Sequence, residues 1–160
     1  MGLEIERKFL VTNDDYKKEA RSRIWIRQGF LTDDLKRAVR VRIVGDNAFI
    51  TIKGKNVGAA RHEFEYPVDK ADAKIMIEEI CIAPVLSKYR YLVDLDGLTW
   101  EVDEFKGENE GLVIAEVELP KLGHKLVLPV WAGREVTHDK RYYNASLVRS
   151  PYRKWKQEGL

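Results

Sequence analysis

Seven segments of this chain place charged residues, in one case a hydroxyl and a charge, two positions apart: Glu4-Ile5-Glu6-Arg7-Lys8, Arg40-Val41-Arg42, Thr51-Ile52-Lys53, Arg61-His62-Glu63-Phe64-Glu65, Lys88-Tyr89-Arg90, Glu101-Val102-Asp103 and Glu116-Val117-Glu118. In a β-strand residues i and i+2 share a face and the residue between them points the other way. Each segment therefore gathers its charge on one face. The intervening Ile5, Val41, Ile52, Phe64, Tyr89, Val102 and Val117 give the opposite face apolar surface to bury.

A single Glu-x-Glu is most often the wet face of an open antiparallel sheet. Seven repetitions point elsewhere, because a wet face mixes Ser, Thr, Lys and Gln, whereas these positions are almost all carboxylate, guanidinium or ammonium. Closing the sheet removes its edges, turns the charged face into a lumen and leaves the apolar face to pack against helices. The expected fold class is α+β, a closed antiparallel β-barrel with a charged lumen and flanking helices.

The 160 residues, 44% hydrophobic, suit one domain over 1–160 with no linker, repeat or low-complexity tract. The 28 basic and 26 acidic residues nearly cancel and form no block of one sign, so neither a nucleic-acid partner nor a membrane is expected. No apolar run approaches the roughly 20 residues of a spanning helix. The charged start lacks the apolar core of a signal peptide, and Cys81, the only cysteine, rules out an intrachain disulfide. A cytoplasmic location is expected.

Strands are expected at 3–11, 37–44, 48–53, 60–68, 85–94, 98–105 and 112–119, with Ile24 to Leu31 running to a polar turn at Thr32-Asp33-Asp34. Gly45-Asp46-Asn47 supplies hairpin chemistry. Thr12 or Asn13 is read as the cap of a short helix at 16–20, and Asp69 as the opening of a helix from Ala71 to Cys81. The C-terminal segment, about 121–160, is read as helical and packing on the barrel, with helices at 139–148 and around Trp155.

A lumen holding Glu4, Glu6, Glu63, Glu65, Glu101, Asp103, Glu116 and Glu118 against Lys8, Arg40, Arg42, Lys53, Arg61, Lys88 and Arg90 is costly unless its ions are paired or bound. Carboxylate pairs are hard oxygen sites for Mg²⁺ or Mn²⁺, and clustered Arg and Lys suit phosphate. Both together suit a metal-bound polyphosphate.

The ordered set of these motifs, opening with ExExK at Glu4 to Lys8 and closing with Glu135-Val136-Thr137 and Arg141-Tyr142-Tyr143-Asn144, resembles the CYTH superfamily of triphosphate tunnel metalloenzymes in its small bacterial branch. The resemblance implies an eight-stranded antiparallel tunnel. It implies metal-binding roles for Glu4, Glu6, Glu116, Glu118 and Asp103, and a triphosphate grip by Lys8, Arg40, Arg42, Lys53, Lys88 and Arg90. Lys8, Glu63 and Glu101 are the implied catalytic residues, the two acids holding waters or orienting basic neighbours. Arg61 and Glu65 share the phase and are read as lying near the rim. Phe30 departs from the family's Gln-Gly-Tyr-Leu and removes a hydroxyl.

The implied activity is metal-dependent hydrolysis of inorganic tripolyphosphate with Mg²⁺ or Mn²⁺. Thiamine triphosphatase, a class IV-type adenylate cyclase, a polyphosphate-binding module without turnover and a salt-bridged structural domain are the alternatives. A homodimer is left open. Cys81, His62, His124, His138 and the glycines of residues 53–58 receive ordinary structural readings, as do Trp25, Trp131 and Trp155, which are read as core or helix-docking residues.

Overall fold

A computed structural model describes residues 3–157 except 33 and 35. Strands β1 (Leu3–Val11), β2 (Ser22–Phe30), β3 (Arg37–Val44), β4 (Asn47–Gly54), β5 (Ala60–Pro67), β6 (Ile82–Leu95), β7 (Leu98–Lys106) and β8 (Val113–Glu118) pair antiparallel in the ring β1-β5-β4-β3-β2-β6-β7-β8, which returns to β1. The fold is a closed eight-stranded antiparallel barrel. Helices α1 (Tyr16–Glu19), α2 (Lys70–Ile75, running on as a π-helical turn over Met76–Ile80), α3 (Asn144–Arg149) and α4 (Tyr152–Gln157) lie around it. No helix among the described residues is long and apolar enough to cross a membrane.

Local chemistry accounts for the connections. Asp96 and Gly97 both take positive φ, 53° and 78°, as a tight two-residue hairpin between β6 and β7 requires. Asp69 caps α2 by accepting from Ala71 N at 2.8 Å and Asp72 N at 3.3 Å. Neither Thr12 nor Asn13 caps α1: Asn13 Oδ1 instead accepts from Asp15 N in a local turn, and Asp15 takes the cap position. In the polar turn after β2, Thr32 Oγ1 donates to Arg37 O, while Asp33 lies outside the described residues.

One seam is spliced. β5 pairs only with Leu3 to Ile5 of β1, and the rest of that edge is taken by β9 (Ala132–Glu135) and the residues after it. Val136 N donates to Lys8 O, and Lys8 N donates to Thr137 Oγ1. Gly133 allows the approach: a Cβ there would stand 2.6 Å from Thr12 Cγ2 and 3.2 Å from Leu10 O.

The outer face is buried unevenly. Phe9, Tyr16, Tyr91, Trp100, Val102, Val117 and Trp131 form one cluster over β1, β6, β7 and β8, with Trp131 Nε1 donating to Glu19 Oε1. Truncating an aromatic of this kind costs about 3–5 kcal/mol, so this cluster fixes α1 to the barrel. α2 covers Val41 and Ala48 through Ala73 and Ile77. Over β4 and β5 the expected burial does not occur. Ile52 and Phe64 are 42% and 45% exposed, because α2 covers β4 only around Ala48 and Ile50 and does not extend to them. Trp25 also departs from a core role: it is 44% exposed and leans on Tyr89 with ring centroids 4.7 Å apart.

At one end the inward positions themselves become apolar. Phe30, Ala38, Leu86, Phe105 and Ile114 meet Tyr142, Leu147, Val148 and Trp155, so the C-terminal segment plugs that end. The expected helix over 139–148 is broken to do this. A 3-10 turn at Lys140–Tyr142 is followed by an extended Tyr143, φ −71° and ψ 139°, before α3 begins. Tyr142 O accepts from Lys8 Nζ rather than from a helical N–H.

Candidate active site

Beside this plug the barrel holds a cavity of about 200 Å³. Its walls bring together Glu4, Glu6 and Lys8 of β1, Arg40 and Arg42 of β3, Lys53 of β4, Arg61, Glu63 and Glu65 of β5, Arg90 of β6, Glu101 of β7, and Glu116 and Glu118 of β8. Residues more than a hundred positions apart converge because antiparallel register sets their rungs side by side. Lys8 is opposite Glu116 and Glu116 opposite Glu101; Arg40 is opposite Thr51 and Thr51 opposite Glu65.

Two of the residues expected at the site do not line the cavity. Lys88 and Asp103 sit beneath it, 0% and 1% exposed. Asp103 spends both oxygens there, accepting from Arg90 Nε at 2.8 Å and Arg90 Nη2 at 2.9 Å, with Lys88 Nζ 2.7 Å away. Burial would raise the Asp103 pKa, but Arg90 and Lys88 outweigh it and hold the carboxyl well below its usual range. Burial lowers Lys88 to about 7 against the pull of Asp103. In this structure Asp103 is an anchor for two cations.

The basic wall is set by short contacts. Arg90 Nη1 also reaches Glu101 Oε2 at 3.2 Å, and Arg40 Nη2 reaches Thr51 Oγ1 at 3.1 Å, which in turn donates to Glu65. Arg42 differs. Its Nε donates to Gln28 Oε1 at 3.1 Å, and among the described residues it forms no ion pair. Burial, then Arg40 and Arg90, push its pKa well down. Two further buried donors here, Arg40 Nε and Gln28 Nε2, have no protein partner. Buried donors and cations left unmatched are costly, and an anion with many oxygens would satisfy them.

The acidic wall shows the opposite imbalance. Glu4 is held by Lys53 at 3.3 Å and Arg61 at 3.1 Å, and Glu116 by Lys8 at 3.5 Å. Burial works against both, yet these cations keep Glu4 below its ordinary value and Glu116 at about 2. Glu6 and Glu118 face each other in register, and neither forms an ion pair among the described residues. Burial and then the Glu116 charge raise Glu6 to about 8; burial, then Glu4 and Glu63, raise Glu118. Among the described residues no three Asp, Glu, His or Cys groups stand close enough to hold a metal as placed. The donor set nonetheless fits a hard divalent cation, which would relieve the repulsion that lifts Glu6.

Lys8 and Glu63, expected in catalysis, are engaged as well as central. Lys8 Nζ lies 3.3 Å from Tyr142 O and 5.1 Å over the Tyr143 ring, and Glu63 is 3.2 Å from Lys53 Nζ. Sequence reasoning assigned no site role to the wall formed by Ala38, Tyr143, Asn144 and Ala145, which lines the cavity with Phe30. Ala38 could have been found by extending the inward phase of Arg40 by two residues. The helical reading of 139–148 hid the others.

Comparison with known proteins follows the same lines. The family model described as the CYTH domain matches residues 2–152. The chain is 47% identical over 157 residues to an inorganic triphosphatase of Acetivibrio thermocellus, covering 98% of this chain and all of the relative. It is 36% identical over 154 residues to an inorganic triphosphatase of Nitrosomonas europaea, covering 92% and 97%. A crystal structure of an inorganic triphosphatase superposes with a TM-score of 0.66 at 33% identity, over 92% of this chain and 95% of that one.

Proposed function

The chain belongs to the CYTH domain family, and from that premise we propose that it hydrolyses inorganic tripolyphosphate to pyrophosphate and phosphate with Mg²⁺ or Mn²⁺ in the cytoplasm. One observation carries this reading. Arg42, a half-buried guanidinium with no ion pair among the described residues, shares a cavity with Glu6 and Glu118, acids that likewise form no ion pair among them. A metal-bound polyphosphate satisfies both at once. The cavity, about 200 Å³, is also smaller than the roughly 300–1,000 Å³ of sites that enclose drug-sized organic ligands. That favours an inorganic chain over a nucleotide or a thiamine ester.

Arg40, Arg42, Arg90, Lys8 and Lys53 grip the phosphates through charge-assisted hydrogen bonds, and Asp103 and Gln28 keep Arg90 and Arg42 in place before substrate arrives. Glu6, Glu118, Glu4 and Glu116 would hold the metal. When bound, it supplies charge neutralisation on the phosphate chain and activation of water. Glu63 and Glu101 orient Lys53 and Arg90. Water adds to the terminal phosphorus, the bridging P–O bond breaks, and the electron pair leaves with pyrophosphate. No side chain of this cavity needs to become a covalent nucleophile.

The test is a substrate panel of tripolyphosphate, pyrophosphate, thiamine triphosphate and ATP, each with Mg²⁺ and Mn²⁺. Tripolyphosphate is expected to be cleaved fastest, ATP more slowly and pyrophosphate poorly, since two phosphates cannot fill the grip and the attacked position together. Binding without turnover under either metal would establish a binding module instead. Cyclic AMP from ATP, with tripolyphosphate inert, would establish a cyclase.

A further inference from the structure

The plug contributes one polar side chain to the cavity whose chemistry is unspent. Tyr142 O is taken by Lys8 Nζ, Thr137 Oγ1 by Lys8 N, and the Tyr143 hydroxyl donates to Thr137 O at 3.4 Å. Asn144 also lines the cavity, and its Oδ1 is buried without a hydrogen-bond partner among the described residues. A buried amide oxygen left this way in a protein interior calls for an explanation. The two ends of an Asn amide exchange by a half-turn of the terminal torsion, so this position can present either Oδ1 or the Nδ2 donors to the cavity.

Its place in the fold selects between them. Asn144 follows Tyr143, the ring over which Lys8 Nζ stands, and it precedes Ala145 at the border where the lining passes from charged to apolar. A phosphate chain extending toward the plug meets Lys8 first and then apolar surface it cannot enter. Asn144 stands at that limit. An amide there adds a donor to an anionic oxygen without adding charge to a wall already crowded with cations.

We propose that the Asn144 amide donates to the end phosphate of the bound inorganic chain and is a substrate-binding residue, an inference that rests on the triphosphatase reading above. The test compares wild type with Asn144→Ala and Asn144→Asp. It measures KM and kcat for tripolyphosphate, its binding by calorimetry without metal, and Tm. Aspartate keeps the shape and suits the first turn of a helix, so a purely structural Asn144 predicts unchanged binding and an unchanged or higher Tm.

The expected result is a rise in KM of several-fold for Asn144→Ala and at least tenfold for Asn144→Asp, with Tm held and kcat less affected than KM. The larger loss for aspartate is the signature of an anion in contact. Equal binding by all three proteins overturns the proposal. So does an Asn144→Asp variant that binds tripolyphosphate as wild type does but needs less metal, because the position then faces the cation. Wild-type protein that neither binds nor cleaves tripolyphosphate overturns the functional reading itself, a failure separate from the first two.

Discussion

On β6 and β7, Asp103 receives Arg90 through two hydrogen bonds and holds Lys88 at 2.7 Å, so the deep basic layer is assembled in the protein alone. On β1 and β8, Glu6 and Glu118 oppose each other in register, and among the described residues neither forms an ion pair. Both pairs arise from the same alternation, and they differ in what completes them. The basic layer carries its own counter-charge below the cavity, which fixes the guanidinium before any ligand arrives; that is the preorganisation an anion site needs. The acidic wall keeps its repulsion until something positive enters. Arg42 is intermediate, oriented by Gln28 but not neutralised.

Breaking the assembled layer has the largest expected effect. Asp103→Asn keeps the shape but leaves Lys88 and Arg90 as buried cations without their shared partner, which costs about 3–5 kcal/mol. For a domain of this size that lowers Tm by roughly 6–20 °C, and turnover should fall with it. Titrating metal separates two roles for Asp103. An anchor gives a loss that excess Mg²⁺ or Mn²⁺ does not repair, whereas a metal ligand gives one that it does.

Arg42→Met sharpens the contrast by moving activity and stability apart. The methionine keeps much of the stem and removes a charge that has no ion-pair partner among the described residues. Substrate affinity should fall by about 1.5–3 kcal/mol, the value of a charge-assisted contact, or roughly ten- to a hundredfold in KM for tripolyphosphate. Thermal melts should show little loss or a gain, because removing a half-buried charge without an ion-pair partner relieves a cost. A Tm drop comparable to that of Asp103→Asn would show that Arg42 is held as tightly as Arg90.

The barrel could be read from the sequence because its alternation has period two and recurs in seven segments, and closure follows from what a fully charged face can tolerate. Depth could not. Asp103 and Glu101 are two residues apart on one face, yet Asp103 is 1% exposed beneath the cavity while Glu101 lines it, because barrel shear and the plug decide the level of each rung. β9 was hidden for a different reason. It has four residues, too few for a pattern, and it exists because Gly133 lets it lie against the edge that β5 leaves free. The break at Tyr143 depends on Lys8 taking Tyr142 O, a contact 134 residues away in sequence. The apolar residues over β4 and β5 alternate as well as those over β7, but nothing in their spacing tells which stretch a helix will cover.

The smallest expected effect comes from the unmatched wall and concerns the pH dependence of stability without metal. Glu6 has an ordinary pKa near 4.5 and a folded value of about 8, raised by burial and then by Glu116. Between those values the folded protein holds a proton that the unfolded chain has released, so stability is lost as pH rises from 4.5 through 8 and changes no further above it. Lys88 has the opposite sign in a different window. Its pKa falls from 10.5 to about 7 on folding, so its contribution improves as pH rises between those values. Asp103 and Glu116, lowered on folding, lose their contributions only in acid, below the ordinary carboxylate range. The window between pH 4.5 and 7 therefore isolates the raised acids, Glu6 foremost. Glu6→Gln cannot ionise, and chemical denaturation across this window should give a shallower decline than wild type. Because Glu6 is partly exposed, screening keeps the difference to about 1 kcal/mol. At pH 8, Mg²⁺ should restore the wild type more than it restores Glu6→Gln, since only the carboxylate gains by exchanging a proton for a metal. Identical pH slopes in the two proteins would mean that Glu6 keeps an ordinary pKa in the folded barrel, its charge already balanced, and that the acidic wall is as complete as the basic one.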